Sequence, residues 1–247
     1  MANSEVKSIC VVSNYRTAST NFTMKLSLEY DLPYAGEAFS HERPFRIGNQ
    51  PKGWDDSGLN DLREKGWTHW ECKNYSDDAL IEEIKSGAEV CFKLMPTHIQ
   101  THEKRVELLE ACDEVYYLYR KDYLAQLKSW VAMRCTGDWS NNGFIRTTLD
   151  EPSMKYFWES HHGEITGLGP TVHHDIDADQ RFVDQMHAEI WPGYEMQRAL
   201  WKEVPGEVYA MEDYYTGALY IPYNRTYNWI NEDKIIWPSY DTTAVFV

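Results

Sequence analysis

Short apolar segments alternate with helix-forming segments along most of this chain, and this alternation limits the folds that it can adopt. Parallel strands need long crossover connections, which helices usually supply, so the order strand, helix, strand favours a parallel sheet with helices on both faces. We therefore expect an α/β fold with three layers and a mostly parallel central sheet. The apolar runs that predict strands are residues 6–12, 88–94, 115–119 and 207–211.

The segments between the strands carry helix signals. Phe22, Leu26 and Tyr30 recur at the four-residue spacing of one helix face. Ser76, followed by two aspartates, marks a capped helix start. Residues 33–68 are rich in Gly, Pro, Asn and Asp and predict irregular structure. Helices are expected over residues 19–30, from Ser76 to just before Gly87, and over residues 101–112, 122–134 and 178–203, the last interrupted near Pro192.

The length of the chain and the absence of linkers indicate a single domain over residues 1–247, since one core of ordinary size can include all of it. Residues 136–177 interrupt the alternation with glycines, prolines and paired histidines. We interpret this segment as an inserted irregular or helical cap, with one short helix near residues 153–161. The chain from Ile221 onward is expected to be irregular.

The charge balance excludes several classes of partner. The chain has 24 basic and 39 acidic residues, a formal net charge of −15, whereas a nucleic-acid-binding protein carries a basic face. A locally basic pocket for a small anion stays compatible with this charge. No apolar run approaches the ~18 residues that span a bilayer, and the N-terminal apolar stretch is too short for a signal peptide. We expect a soluble, cytoplasmic protein without membrane insertion; the oligomeric state, including a homodimer, stays open.

The loop after the first predicted strand has the composition of an anion site. Residues 13–21 contain Arg16, several hydroxyl side chains and the small residue Ala18. Backbone N–H groups at a helix start attract anions, and a guanidinium adds a permanent, forked charge. The ATP-binding pattern GxxxxGK[ST] is absent. From the residues alone, an ordinary helix start with Arg16 in solvent is an equal alternative.

Cys10 and Arg16 have the C-x5-R spacing of cysteine phosphatases, in which a thiolate attacks phosphate held by the arginine. Cys10 falls inside an apolar run, where a thiol is buried and inert, and the loop lacks glycines. A core cysteine is therefore the preferred interpretation. The chain's five cysteines are widely spaced without a CxxC pair, which predicts reduced thiols rather than disulfides or a zinc ribbon.

A second strand-to-helix junction, residues 116–130, carries Arg120 at the strand end and Ser129 in the following helix. Its pattern Arg-x-Asp-x3-Gln-x2-Ser resembles the 3′-phosphate-binding segment of sulfotransferases that use PAPS (3′-phosphoadenosine 5′-phosphosulfate). Residues 15–20, Tyr-Arg-Thr-Ala-Ser-Thr, resemble the 5′-phosphosulfate loop of that family, usually P-[KR]-[ST]-G-[ST]-T. The likeness is closest to the bacterial trehalose-sulfotransferase branch. Tyr15 stands where Pro is usual, and Ala18 where Gly is usual.

Two weaker likenesses follow in the family's order. Residues 35–39 resemble the Gly…Glu-x-Phe segment of that branch, and residues 208–213 its Tyr-Glu-Asp-Leu segment. The resemblance implies a P-loop-like three-layer α/β fold. It covers residues 6–39, 88–135 and 207–216, whereas the segment 136–177 matches nothing in the family pattern.

The resemblance implies transfer of a sulfuryl group from PAPS to a hydroxyl of a small molecule or glycan. The product nucleotide, PAP (adenosine 3′,5′-bisphosphate), is released, and no metal is required. Such transfer is in line and builds charge on the leaving oxygen, as phosphoryl transfer does, so Arg16 would act on that charge. The donor would be bound by residues of the first loop and of the second junction: Arg16, Thr17, Ala18, Ser19, Thr20, Asn21, Arg120 and Ser129.

Glu37 is the candidate general base, because of its place in the Gly-Glu-x-Phe segment. His41 is the substitute, since its ordinary pKa lies nearer the working pH. Lys93, at the end of the second predicted strand, either adds positive charge near the sulfuryl oxygens or pairs with a carboxylate. His98 either lies near Lys93 or, as the preferred interpretation, has a role at the surface, and no metal site is predicted. The alternatives are a solvated Glu37 and a non-catalytic protein of the same fold that binds PAP.

Overall fold

The computed structural model describes residues 6–39, 76–136, 179–214 and 234–247. Its centre is a five-stranded sheet in the order β2-β3-β1-β4-β5, and every strand pair in it is parallel. The prediction of an α/β fold with a parallel sheet is therefore confirmed. For each of the four predicted strands, the first and last residues lie within two positions of those observed. The strands are β1 Ser8–Ser13, β2 Tyr34–Gly36, β3 Val90–Leu94, β4 Glu114–Tyr119 and β5 Glu207–Ala210.

Three of the described helices begin at side chains that accept hydrogen bonds from the first turn. Ser76, Thr101 and Asp179 each accept from a backbone N–H three residues later, as N-cap residues do. The described helices are α1 Ser19–Glu29, α2 Asp77–Lys85, α3 His102–Glu110, α4 Tyr123–Thr136, α5 Gln180–Glu203 and α6 Met211–Tyr214, followed by a 3₁₀ helix at Thr242–Phe246. None of these described helices has the length and apolar character needed to cross a membrane.

Alternate residues of β1 face opposite layers of the protein. Ile9 and Val11 pack with the α1 side chains Phe22 and Leu26 on one face. The intervening residues face the other side, where they join side chains of α2, α3 and α5 in one buried cluster. Burial on both faces explains why the strands are almost continuously apolar. It also leaves the carboxyl edge of the sheet as the place where polar loop residues gather.

The edge strand β2 corrects the prediction that residues 33–68 are irregular. Tyr34–Gly36 pairs with β3 across a register shift, and the backbone N–H of Cys91 donates to the Pro33 carbonyl. A strand of three residues is too short to show an apolar period, and pairing with a buried neighbour determines its conformation. The remainder of that range, residues 40–68, lies outside the described residues.

Helix α5 corrects the prediction of an interruption near Pro192, because it continues through that residue. Proline removes one backbone N–H and so one helical hydrogen bond. The apolar face of the helix, including Val183, Met186, Ile190 and Leu200, is buried in the core and offsets that loss.

The C-terminal residues correct a third expectation, that the chain from Ile221 onward is irregular. Thr242–Phe246 forms a 3₁₀ helix, in which Val245 is buried. The Thr242 hydroxyl donates to the Arg120 carbonyl at 2.6 Å, which ties this segment to the end of β4. Apart from Thr136, the proposed cap at residues 136–177 lies outside the described residues, as does its helix at 153–161.

Candidate active site

The loops that follow β1 and β3 meet at the carboxyl edge of the sheet. The Ser13 hydroxyl, at the end of β1, donates to the Met95 sulfur at 3.0 Å. The Tyr15 hydroxyl donates to Thr97 Oγ1 at 3.2 Å, which adds a second contact between the two loops. Ligands of parallel α/β sheets bind at this edge, because the strand ends and helix starts open there.

The loop after β1 also contacts the residues that follow β4. Arg16 Nε donates to Ser129 Oγ at 2.9 Å, and Arg120 Nη1 donates to the Arg16 carbonyl at 3.4 Å. The structure therefore brings Arg16, Arg120 and Ser129 together, although the first is more than a hundred positions from the other two. The guanidinium groups of Arg16 and Arg120 make this region locally basic, although the protein as a whole is acidic.

The Arg120 guanidinium makes long polar contacts with its neighbours. Its Nε is buried and has no hydrogen-bond acceptor among the described residues. It forms an ion pair with Glu212 Oε1 at 3.6 Å, and that carboxylate also accepts the backbone N–H groups of Lys121 and Asp122. These two contacts of the guanidinium, at 3.4 Å and 3.6 Å, are long, so the group can take a closer anionic partner.

In the loop after β1, the backbone adopts the left-handed conformation at two residues, Arg16 (φ 59°) and Ala18 (φ 55°). The Thr17 side chain points inward, and its hydroxyl donates to the Asn14 carbonyl at 2.8 Å. Ser19 is buried and begins α1. Of the predicted donor-binding residues Thr20 and Asn21, only the backbone, in the first turn of α1, is described.

We predict that Ala18→Gly stabilises the protein by about 1 kcal/mol. A side chain with a Cβ is strained in the left-handed region that Ala18 occupies, whereas glycine adopts it freely. Urea unfolding of the two proteins measures the difference. Ala199→Gly, at an exposed position inside α5, is the matched control, and it should destabilise by about 1 kcal/mol instead. A loss of stability in both variants would contradict the strain at Ala18.

A charged cluster lies beside this loop, at the ends of β2 and β3. Lys93 Nζ lies 2.7 Å from Glu37 Oε1, and His98 Nε2 lies 3.6 Å from Glu37 Oε2. Lys93 and His98 are buried, whereas the Glu37 side chain is 31% exposed. Of the two predicted roles for Lys93, pairing with a carboxylate is the one observed. The carboxylate is that of Glu37 itself, which is therefore not a freely solvated group.

The burial of His98 corrects the expectation that it lies at the surface. The residue precedes α3, and its Nδ1 accepts the backbone N–H of Met95 at 3.2 Å. That bond holds the ring in place and turns Nε2 toward Glu37. Burial lowers the pKa of His98 below its ordinary value, although the neighbouring Glu37 acts in the opposite direction. The ring is therefore neutral at neutral pH, with its proton on Nε2.

The environment of Glu37 keeps it ionised. Burial by itself raises the pKa of the carboxyl, but the Lys93 ammonium and the His98 ring outweigh burial and hold it well below its usual range. The carboxylate is therefore present at neutral pH, as a general base requires. Its proton affinity is low as long as Lys93 is paired with it. His41, the substitute base, lies outside the described residues.

Cys10 does not have the environment of a phosphatase nucleophile. Its side chain is completely buried in the middle of β1, within the core cluster. Burial, together with Cys112 and Cys91 nearby, raises the pKa of the thiol well above its ordinary value. A protonated thiol that no solvent reaches cannot attack a phosphate ester. The interpretation of Cys10 as a core residue is consistent with this position.

Some polar groups at this edge have no local sequence motif. His98, four residues after β3, and the α5 residues Tyr194 and Gln197 are buried against the strand ends, and the two α5 residues come from a distant part of the chain. The sequence signal for the two α5 residues is that Tyr194 and Gln197 are polar, three positions apart, on an otherwise apolar helix face. Among the described ranges, no group of three or more histidine, cysteine or acidic residues is placed to hold a metal ion.

Comparison of the chain with models of known protein families, with curated proteins and with solved structures gave no match.

Proposed function

We propose that this protein is a PAPS-dependent sulfotransferase with a P-loop-like α/β fold. The observation that carries the proposal is the convergence of Arg16, Arg120 and Ser129, through the 2.9 Å and 3.4 Å contacts, beside the start of α1. A donor nucleotide with two anionic groups needs two separate cationic positions, and this edge of the sheet has both. The central position of β1, between β3 and β4, supports a P-loop-like arrangement.

The residues of this edge fit the donor. The Arg120 guanidinium, whose side chain is 14% exposed, would donate to a 3′-phosphate oxygen through its terminal N–H groups, and Ser129 would add a hydroxyl. Arg16 and the backbone N–H groups at the start of α1 would bind the 5′ end. The loop residues assigned to this task are Arg16, Thr17, Ala18, Ser19, Thr20 and Asn21.

PAPS, when bound, supplies the sulfuryl group. The acceptor oxygen forms a bond to sulfur while the bond from sulfur to the bridging oxygen breaks, and that oxygen keeps the electron pair. Arg16 stabilises the charge that develops there. The acceptor proton passes to a carboxylate oxygen of Glu37. The products are the sulfate ester and PAP, with a proton on the enzyme that solvent later removes.

Lys93 links donor binding to proton transfer in this mechanism. The ammonium pairs with Glu37 at 2.7 Å and lowers its proton affinity. Anionic sulfuryl oxygens compete with Glu37 for the same ammonium. When they draw Lys93 away, the proton affinity of Glu37 rises at the moment when it must accept a proton.

The acceptor that we propose is a neutral small molecule or glycan, in the cytoplasm. The net charge of −15 disfavours a polyanionic acceptor, because the mean field of the protein repels it. Five tryptophans that stand in polar sequence contexts suit a sugar-like ligand, since an aromatic ring offers a flat apolar face: Trp54, Trp67, Trp70, Trp139 and Trp158.

The experiment that tests this function is transfer of label from [³⁵S]PAPS to a panel of neutral mono- and disaccharides, with PAP release measured in parallel. We expect a labelled ester with one of the acceptors, and no ester when the hydroxyls of that acceptor are methylated. PAP release without any labelled ester would contradict transfer to a hydroxyl.

A second candidate function is a non-catalytic protein of the same fold that binds PAP. The pairing of Glu37 with Lys93 favours it, because a carboxylate held at low proton affinity is a weak base. Tight PAP binding, together with no transfer to any acceptor in the panel, would select this candidate.

A further inference from the structure

Helix α5 supplies a buried hydroxyl to the centre of the candidate site. Tyr194 is only 1% exposed, and its hydroxyl donates to the Gln126 side-chain carbonyl. The same hydroxyl lies 3.4 Å from the Arg120 carbonyl. One side chain of a distant helix therefore contacts the backbone of the residue proposed to bind the 3′-phosphate.

Gln126 continues this contact to the other side of the site. It is completely buried in α4, and its amide Nε2 donates to the Tyr15 carbonyl at 2.5 Å. Tyr15 directly precedes Arg16. The hydrogen bonds from Tyr194 to Gln126 and from Gln126 to Tyr15 thus connect the two loops that carry Arg16 and Arg120.

Two further contacts fix α5 against the same strand ends. Gln197, completely buried, donates through one amide nitrogen to the Val12 carbonyl at 3.0 Å and to the Leu118 carbonyl at 2.9 Å. Asn14 donates to the Ile190 carbonyl of α5 at 2.8 Å. A Cβ at Gly193 would lie 2.5 Å from Asn14 Oδ1, so only glycine allows this approach. The helix is therefore anchored to the strand ends that precede both loops.

We propose that Tyr194 is a positioning residue that sets the spacing between Arg16 and Arg120, and thereby the preference of the site for a nucleotide phosphorylated at both its 5′ and 3′ positions. The inference rests on the proposed function. A ligand that must meet two cations at once is sensitive to their separation, whereas a ligand with one phosphate is not. Buried polar networks hold such separations well, because each broken bond leaves an unsatisfied group in a low dielectric.

The test compares Tyr194→Phe with Tyr117→Phe. Tyr117 is also completely buried, and its hydroxyl donates to the Val204 carbonyl at the C-terminal end of α5, at 2.7 Å. Both variants lose one buried hydroxyl bond to the backbone or side chain of a neighbouring element, so their melting temperatures should fall to a similar extent. Calorimetric titration with PAP and with 5′-AMP, which lacks only the 3′-phosphate, then separates positioning from stability.

We expect Tyr194→Phe to weaken PAP binding about fivefold to tenfold and to change 5′-AMP binding less, so that the preference for PAP falls. Tyr117→Phe should keep the wild-type preference. Amide exchange of residues 14–19 should become faster in Tyr194→Phe alone. If Tyr194→Phe fails to fold, Gln126→Met interrupts the same connection and should lower the preference equally.

The outcomes separate this inference from the function on which it rests. A wild type that prefers PAP, together with a Tyr194→Phe protein of unchanged preference and exchange, overturns the positioning role and leaves the function standing. Equal effects in Tyr194→Phe and Tyr117→Phe overturn it also, since they reflect stability alone. A wild type that binds neither nucleotide overturns the proposed function and the inference with it.

Discussion

Replacing Arg16 with alanine is expected to lower the rate of sulfuryl transfer by about a thousandfold. The guanidinium acts on charge that exists only as the sulfur–oxygen bond breaks, and removing one such group typically costs a factor of about 10² to 10⁵. Because the interaction strengthens in the transition state, kcat should fall much more than KM rises. The measurement is initial-rate kinetics with [³⁵S]PAPS and the acceptor identified from the panel.

The matched control is Arg198→Ala, at an exposed position of α5. This change removes the same charge from the protein, so it reports the effect of net charge alone, and we expect less than a twofold change in rate. A decrease smaller than about tenfold for Arg16→Ala, or a similar decrease in both variants, would contradict the role given to Arg16.

The second large effect is on stability. Glu37→Gln should lower the free energy of unfolding by about 3 kcal/mol at neutral pH, because it removes the carboxylate that faces the buried Lys93 ammonium at 2.7 Å. Urea unfolding at pH 7 measures the change. The double variant Glu37→Gln with Lys93→Met should recover much of the loss, since no buried ammonium is then left without its partner. Additive losses in the double variant would contradict an interaction between the two charges.

The difference in the free energy of unfolding between the wild type and Glu37→Gln should also decrease as the pH falls. The pKa of Glu37 in the folded protein lies below its ordinary value of 4.5, because Lys93 and His98 outweigh the effect of burial. The unfolded chain therefore binds more protons in acid than the native state does. The stabilisation is complete above pH ~5 and is lost progressively as the pH falls below 4.5. Unfolding at a series of pH values from 7 to about 3 checks this trend.

Features that depend on residues close together in the chain can be predicted from this sequence. The apolar runs of β1, β3 and β4 predict buried strands because both faces of a parallel sheet are covered. Arg16, at a strand end, and Arg120 with Ser129, at another, lie near one another because parallel strand ends meet at one edge. Local pattern and general topology were enough to predict the strands, whereas the grouping of Arg120 and Ser129 with Arg16 came from the resemblance to the sulfotransferase family.

Features that depend on contacts between distant segments were not predicted. β2 has only three residues, and its pairing with β3 defines it. His98 looks like a polar residue before a helix, yet the Met95 backbone and Glu37 hold it in the interior. Tyr194 and Gln197 lie more than fifty positions beyond the end of α4. Their role depends on how that helix crosses the strand ends, which no short pattern encodes.

Binding of a nucleotide with a 3′-phosphate is the central claim, and calorimetric titration of the wild type and of Arg120→Ala with PAP tests it most directly. We predict saturable binding by the wild type and at least tenfold weaker binding by Arg120→Ala, since the loss of a charged hydrogen-bond partner costs about 1.5–3 kcal/mol. Circular dichroism of the variant confirms that it is folded. Absence of PAP binding by the wild type, or equal binding by a folded Arg120→Ala protein, would contradict the account.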